Sequence, residues 1–120
     1  MNIKIIDGLF SICKIEDINI KIDNKYSFLS ITDDEISLVC KNEFIPSNYT
    51  DIEKDYRCFK IEGNLDFSLV GIISRISKLL ADSNIPIFVI STFNTDYFLV
   101  KDEYYERVKT LLKLNNYKLI

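Results

Sequence analysis

The chain has 120 residues, of which 48% are hydrophobic and 28% charged, with a formal net charge of −3 and a pI near 4.9. Its length suits one domain or two small subdomains that share a core, and its composition excludes the disordered and fibrous classes. The acidic balance, with scattered rather than clustered Lys and Arg, disfavours nucleic acid and membrane surfaces as partners.

The first half of the chain predicts strands and little helix. β-rich runs at 10–16, 26–31 and 36–41 predict three strands, and the last two are joined by the acidic turn 32–35 as a hairpin. The stretch 42–56 is polar and contains a proline, so we expect an irregular connection with one helical turn.

The second half alternates strands with two helices. Strands are predicted at 57–63, 85–92, 96–101 and 117–120. The first helix is indicated by apolar residues at three- and four-residue spacing, with Asp66 or Ser68 as its N-cap; these residues are Leu69, Ile72, Ile73, Ile76 and Leu80. The second helix is expected over 102–116, with Tyr105, Val108, Leu111 and Leu112 inward. Residues 57–120 therefore predict a βαββαβ unit, the ferredoxin-like α+β arrangement.

Residues 28–44 of the first half match residues 88–104 of the second at a shift of 60, and KIE at 14–16 matches KIE at 60–62 at a shift of 46. The identities pair Phe28 with Phe88, Thr32 with Thr92, Lys41 with Lys101 and Glu43 with Glu103. The long helix of the second copy has no counterpart in the first. We therefore expect tandem units at 1–56 and 57–120, the first lacking most of its first helix.

Two residue types limit the chemistry. There is no histidine, the commonest general base and transition-metal ligand. The three cysteines Cys13, Cys40 and Cys58 lie in apolar runs without CxxC spacing, which predicts buried, reduced thiols in a cytoplasmic protein. The N-terminal apolar runs are too short for a signal peptide, and no segment has the roughly 20 apolar residues of a membrane span.

Two polar segments of the second unit are candidates for a ligand site. They are the strand-to-helix turn EGNLDFSLVG (62–71) and the hairpin STFNTDYFLV (91–100). A helix N-terminus offers unpaired N–H groups to a carboxylate, whereas Asp66 and Asp96 suit an ammonium group. A carboxylate and an ammonium group side by side describe a free amino acid.

These two motifs at this separation resemble the ACT-domain proteins of the small bacterial tandem type, which are similar to the regulatory domains of aspartokinases and to the tandem-ACT arginine sensor of animal growth signalling. The resemblance extends to residues 32–40 and 57–63. It implies non-catalytic binding of an amino acid at the interface of paired ACT units, in a homodimer paired through sheet edges or helices. The contacts it implies come from Asn64, Leu65, Asp66, Phe67, Ser68, Gly71, Ser91, Thr92, Phe93, Asn94, Thr95 and Asp96.

Structural roles account for the same residues without a ligand. Asp66 can be an N-cap that contacts no ligand, and Asn94 to Asp96 can be turn residues with no further role. Phe67 and Phe93 can be core or staple residues. The acidic turn 32–35 does not favour a metal site, because adjacent acids on one turn rarely converge.

Two functions therefore compete at this stage. The first is a regulatory amino-acid sensor that needs no cofactor. The second is an ACT-like interaction module without a ligand, which buries its sheet edges by pairing. An enzyme is disfavoured because no catalytic set, metal-ligand cluster or phosphate loop can be named.

Overall fold

The protein, studied as a computed structural model, is described over residues 1–62 and 71–120. Its strands are β1 (Asn2–Ile15), β2 (Phe28–Ile31), β3 (Ile36–Lys41), β4 (Tyr49–Glu62), β5 (Phe88–Ser91), β6 (Asp96–Lys101) and β7 (Lys118–Leu119). Its helices are α1 (Ile72–Ala81) and α2 (Tyr105–Leu114), with 3₁₀ turns at Asn42–Phe44 and Asp102–Tyr104. The predicted caps Asp66 and Ser68 lie outside the described residues.

The chain divides into two units. The small unit is Gly8–Tyr56, and the large unit combines Met1–Asp7 with Arg57–Ile120. Strands β1 and β4 contribute to both units. The strand order is β2-β3-β1-β4 in the small unit and β5-β6-β4-β1-β7 in the large unit.

The core of the large unit packs both helices on one sheet face. Phe59 and Phe98 on neighbouring strands stack with their ring centroids 4.9 Å apart, as expected for aromatic cross-strand neighbours. Apolar residues recur along each helix at the spacing that places them on one face, and the buried ones are Ile72, Ile76 and Leu80 of α1 and Val108 and Leu112 of α2. These five members of the predicted stripes are therefore confirmed; Ile73, Tyr105 and Leu111 are partly buried, and Leu69 lies outside the described residues.

The core of the small unit uses irregular segments where the large unit uses helices. Cys13, Ile15, Leu38 and Cys40 are buried together on one face of its sheet. Ile20, Phe44 and Ile45 pack against them from the segments that follow β1 and β3. The expected absence of a long helix between β1 and β2 is thus confirmed for this unit, which the structure describes throughout.

The hairpin strands predicted at 36–41 and 96–101 are confirmed at both ends. The prediction of an irregular connection is right for 42–48, where a 3₁₀ turn forms, and wrong for 49–56, which belongs to β4. Pairing with β1 supplies the backbone hydrogen bonds of that segment, so its polar residues need not be buried for it to form a strand.

Strand β1 begins eight residues earlier than predicted, at Asn2 instead of residue 10. Asp7 and Gly8 suggest a break, but Gly8 sits inside the strand with φ +94°. Glycine takes this conformation without steric penalty, as at a β-bulge. β7 pairs with residues 2–3 of β1. The start of β1 is therefore an additional strand in the sheet of the large unit, which was predicted to have four.

Candidate ligand site at the β5–β6 turn

The two hairpins of the chain share one register. Phe28 pairs with Val39 in the first, and Phe88 pairs with Leu99 in the second, each at a shift of 60 residues. The turn closes alike in both, because the main-chain N–H of Thr32 or Thr92 donates to a carbonyl three residues later, at 2.9 and 2.8 Å. The agreement of turn and register explains why the sequences align here.

The Thr32 and Thr92 hydroxyls serve the turns themselves. Each donates to that same carbonyl three residues on, at 3.2 Å for Thr32 and 3.0 Å for Thr92. Each also accepts a hydrogen bond from a turn N–H. Threonine hydroxyls make such local bonds in many turns, so the hydrogen-bonding capacity of Thr92 is used within the fold.

Thr95 distinguishes the second hairpin from the first. Its hydroxyl donates a 2.7 Å hydrogen bond to the main-chain carbonyl of Ile61, in a buried position. The corresponding residue of the first hairpin is Glu35, which is exposed. The bond holds the β5–β6 turn beside the end of β4.

Ser91 and Asp96 form a polar pair at the base of the turn. The Ser91 hydroxyl donates to Asp96 Oδ1 at 2.5 Å, with Ser91 exposed and Asp96 half-buried. In the first hairpin this cross-strand pair is Ile31 and Ile36. A carboxylate whose one oxygen is held by a hydroxyl keeps a second oxygen to accept hydrogen bonds from a cationic group.

Phe93 and Asn94 lie at the tip of the turn, and both are exposed. Phe93 is 90% exposed, so its interpretation as a core or staple residue is wrong. An exposed aromatic ring beside a carboxylate is a suitable surface for an organic ligand or a protein partner. Along the predicted hairpin wall, residues 91–94 are exposed, Asp96 is half-buried and Thr95 is buried.

The other predicted wall is only partly described. Asn64, Leu65, Asp66, Phe67 and Ser68 lie outside the described residues, so their meeting with the hairpin stays a prediction. Gly71 is described: it precedes α1 with φ +83°, and its carbonyl accepts the Arg75 N–H at 2.9 Å. Its left-handed conformation explains why a glycine stands at this helix start.

Sequence reasoning missed one residue of this site. Ile61 anchors the turn through its carbonyl, but every residue type supplies a carbonyl. No side-chain signal could therefore have singled it out.

The thiols of the chain are protected rather than reactive. Burial raises the pKa of Cys58 to about 12 and is also the main reason why the pKa of Cys40 rises to about 12. Burial raises the pKa of Cys13 as well. Because the thiolate is the nucleophile, these cysteines are unreactive at neutral pH. Among residues 1–62 and 71–120, no group of three or more Cys, Asp or Glu side chains is placed to hold a metal ion.

Comparison with known proteins assigns the family. The profile of the ACT domain matches residues 51–113, just over half of the chain. The chain belongs to the ACT domain family. The ACT match includes α1, the β5–β6 hairpin and most of α2, and therefore the whole described part of the candidate site. ACT domains are regulatory rather than catalytic, and they typically bind amino acids.

Solved structures agree with the ACT fold. A protein from Agobacterium tumefaciens is 31% identical with a TM-score of 0.90, over 99% of this ACT chain and 91% of that one. A Vibrio cholerae protein of unknown function, described as a possible transport protein, is 15% identical with a TM-score of 0.71, over 93% of this chain and 87% of that one.

An aspartate kinase of Clostridium acetobutylicum is 14% identical with a TM-score of 0.65. The match covers 89% of this chain but only 33% of the kinase, so the likeness concerns the fold of one part of that enzyme. No curated protein sequence matches the chain significantly. Within the described part of the chain, neither helix has the length and apolar character to cross a membrane.

Proposed function

We propose that this ACT protein is a regulatory sensor that binds a free amino acid without catalysing a reaction. The observation that carries the proposal is the exposed Ser91–Asp96 pair at the β5–β6 turn of a chain that belongs to the ACT family. ACT domains are typically regulatory amino-acid binders, and this pair offers the carboxylate that an ammonium group needs.

The proposed ligand lies between the turn and the start of α1. Its ammonium group is bound by Asp96, with the Ser91 hydroxyl fixing one carboxylate oxygen, and Phe93 and Asn94 contact its side chain. The ligand carboxylate is bound by the turn residues 64–68 that the ACT resemblance implies, which precede the start of α1 at Ile72. The site is completed when ACT units of two copies pair into a homodimer.

The proposal includes a tandem of two ACT-like units of ferredoxin-like type, which the sequence predicts at 1–56 and 57–120. The shared hairpin register and the 3₁₀ turn that follows each hairpin, at Asn42–Phe44 and Asp102–Tyr104, support a duplication. The first unit has kept the strands and lost the helix. A cytoplasmic location belongs to the same proposal, because the three thiols are free and buried.

The experiment is isothermal titration of the full chain with each of the twenty amino acids, followed by Asp96→Asn with the best ligand. Asn preserves the acceptor for Ser91 but removes the charge, so we expect binding to weaken by about tenfold or more. Asp34→Asn in the turn of the first hairpin is the matched control and should bind normally. Absence of binding by any amino acid at millimolar concentration would falsify the proposal.

A second candidate function is an interaction module without a ligand. It is favoured by the edge strands of the two units, where Leu29 and Ile31 of β2 and Phe88 and Val89 of β5 are 38–61% exposed. Exposed apolar edges are sites of strand pairing. Leu29→Lys and Val89→Lys should then lower the oligomeric mass in light scattering, while no amino acid binds to the unmodified chain.

A further inference from the structure

The edge strand β2 of the small unit is apolar and exposed. It stands at the end of the strand order β2-β3-β1-β4 and pairs with β3. Leu29 is 40% exposed and Ile31 is 61% exposed, although their cross-strand neighbours Leu38 and Ile36 contribute to the core of this unit. Residues 28–31 contain neither Lys nor Pro, which commonly protect an edge strand, so this edge is suited to pairing with another chain.

The main-chain groups of Leu29 and Ile31 point away from β3, toward the open edge. The Thr32 N–H donates to the Glu35 carbonyl at 2.9 Å. Thr32 and, by alternation, the even-numbered residues of β2 therefore direct their N–H and C=O groups at β3. Leu29 and Ile31 occupy the intervening positions. A strand added to this edge must form its hydrogen bonds with these two residues.

A second copy of β2 fits this edge. When two β2 strands pair antiparallel about a two-fold axis at Ser30, Leu29 of each copy lies opposite Ile31 of the other, and the two residues exchange main-chain hydrogen bonds. Their side chains then extend the apolar row that begins in β3 with Leu38 and Ile36. On the other face Ser30 lies opposite Ser30 of the second copy, and such hydroxyl pairs hydrogen-bond across strands.

The charges at the two ends of β2 are complementary in this arrangement. Lys25 just before the strand is exposed, and so are Asp33 and Asp34 just after it. Because the paired strands run in opposite directions, the start of one lies beside the end of the other. Lys25 of each copy therefore approaches the acidic turn of the other copy. Opposite charges at the rim of an interface fix the register of the two partners.

The corresponding edge of the large unit is less suited to pairing with itself. In the same register, Val89 of one β5 would lie opposite Ser91 of the other, which would place an apolar side chain against the Ser91–Asp96 pair. Burying a carboxylate without a cationic partner is unfavourable. The segments 85–87 and 92–95, on either side of β5, contain no charged residue. Apolar packing and complementary charge therefore both favour β2.

We infer that this chain forms a homodimer through β2, with Leu29 of each copy opposite Ile31 of the other. The inference rests on the proposed function only for the existence of a homodimer, and it does not depend on amino-acid binding. It assigns the pairing to the small unit and leaves the Ser91–Asp96 pair of the large unit to the ligand.

The test is oxidative cross-linking of the Ser30→Cys variant with diamide, without added amino acid. Position 30 lies on the two-fold axis in a non-hydrogen-bonded pair, where the Cα atoms are about 4.5 Å apart and a disulfide can form. The three native thiols are buried, so we expect the introduced thiol to give a covalent dimer on a non-reducing gel. Ile90→Cys, at the corresponding position of β5, is the matched control and should remain monomeric.

Light scattering measures the same contact without a cross-link. The unmodified chain at about 0.1 mM should have twice the monomer mass of 14.0 kDa. Ile31→Lys should return the mass to that of the monomer, whereas Val89→Lys should not. Lys25→Glu should weaken the dimer by about twofold to fivefold, the range of exposed ion pairs, and combining it with Asp33→Lys should restore the affinity.

Two outcomes would overturn the inference: a monomeric unmodified chain, or no covalent dimer of Ser30→Cys. Cross-linking of Ile90→Cys in place of Ser30→Cys would overturn it as well, but would retain the homodimer of the proposed function by placing it at β5. Conversely, a β2 dimer that binds no amino acid would support this inference and remove the ligand proposal, so the two fail independently.

Discussion

The Thr95 hydroxyl donates a 2.7 Å hydrogen bond to the Ile61 carbonyl, joining residues 34 positions apart in a buried environment. It couples the turn of the candidate site to the end of β4. The first hairpin has Glu35 at the corresponding position. The second hairpin is therefore attached to β4 through a side chain that the first hairpin lacks at the corresponding position.

Replacing Thr95 by Val should destabilise the protein by about 1–3 kcal/mol, because the shape is preserved while the buried Ile61 carbonyl loses its donor. Urea unfolding followed by circular dichroism measures the change. Thr95→Ser keeps the hydroxyl, so its free energy of unfolding should stay within about 1 kcal/mol of that of the unmodified chain. Equal stability of the Val and Ser variants would show that the bond contributes nothing.

Gly71→Ala should destabilise the protein by about 1–2 kcal/mol, because its φ of +83° is unfavourable for residues with a Cβ. The added Cβ would also lie 3.3 Å from Arg75 Nη1, but that flexible side chain can move. Gly8→Ala, at φ +94° with no atom within 4 Å of the new Cβ, isolates the backbone effect. Thermal unfolding should show similar losses for both; a neutral Gly71→Ala would contradict the left-handed conformation.

Arg57 is bound in two ways that mutation can separate. Its Nε donates to Asp102 Oδ1 at 2.6 Å, and its Cζ lies 4.5 Å from the centre of the Tyr105 ring. Asp102→Asn should destabilise the protein by less than about 1 kcal/mol, since both side chains are partly exposed. Arg57→Met also removes the contact with the Tyr105 ring, so it should destabilise the protein by about 0.5–1 kcal/mol more than Asp102→Asn does.

The control for this comparison is Lys78→Met, which removes a more exposed ion pair with Asp82 and should have almost no effect. Urea unfolding at low and at 1 M salt is the measurement. The effect of Asp102→Asn should shrink at high salt. If Asp102→Asn destabilises the protein equally at both salt concentrations, the loss of stability comes from packing and not from charge.

Stability should decrease above about pH 9. The pKa of Cys58 and that of Cys40 are raised from 9.0 to about 12 by burial, so between these values the unfolded state has lost thiol protons that the folded state keeps. The free energy of unfolding then decreases with rising pH, and the stability contributed below pH 9 is lost towards pH 12. The slope approaches about 1.4 kcal/mol per pH unit for each thiol.

The Cys58→Ala variant isolates this effect from other groups that titrate at high pH. Its free energy of unfolding should fall less steeply than that of the unmodified chain between pH 9 and pH 10.5 in urea titrations. Identical slopes would show that Cys58 is not protected by burial. In the folded protein at pH 8, the thiols should also react slowly with a disulfide reagent, and rapidly after unfolding.

Local patterns predicted the parts of the fold whose interactions are local. The spacing of Ile72, Ile76 and Leu80 places them on one face of a helix, whatever the rest of the chain does. Strand β6 was predicted at both of its ends, because alternation and turn residues act over a few positions, whereas its partner β5, predicted at 85–92, is shorter at Phe88–Ser91. The segment 49–56 was not, because its strand depends on pairing with a distant partner.

The features of the candidate site likewise fall into those that the sequence predicted and those that depend on the tertiary structure. The sequence by itself identified the polar hairpin 91–96 and the family resemblance, since both reside in residue types and short spacings. Only the tertiary structure decided that the Thr95 hydroxyl donates to the Ile61 carbonyl and that Phe93 is exposed. Hydrogen-bond partners and exposure depend on which distant segments meet, and no short stretch of sequence contains that information.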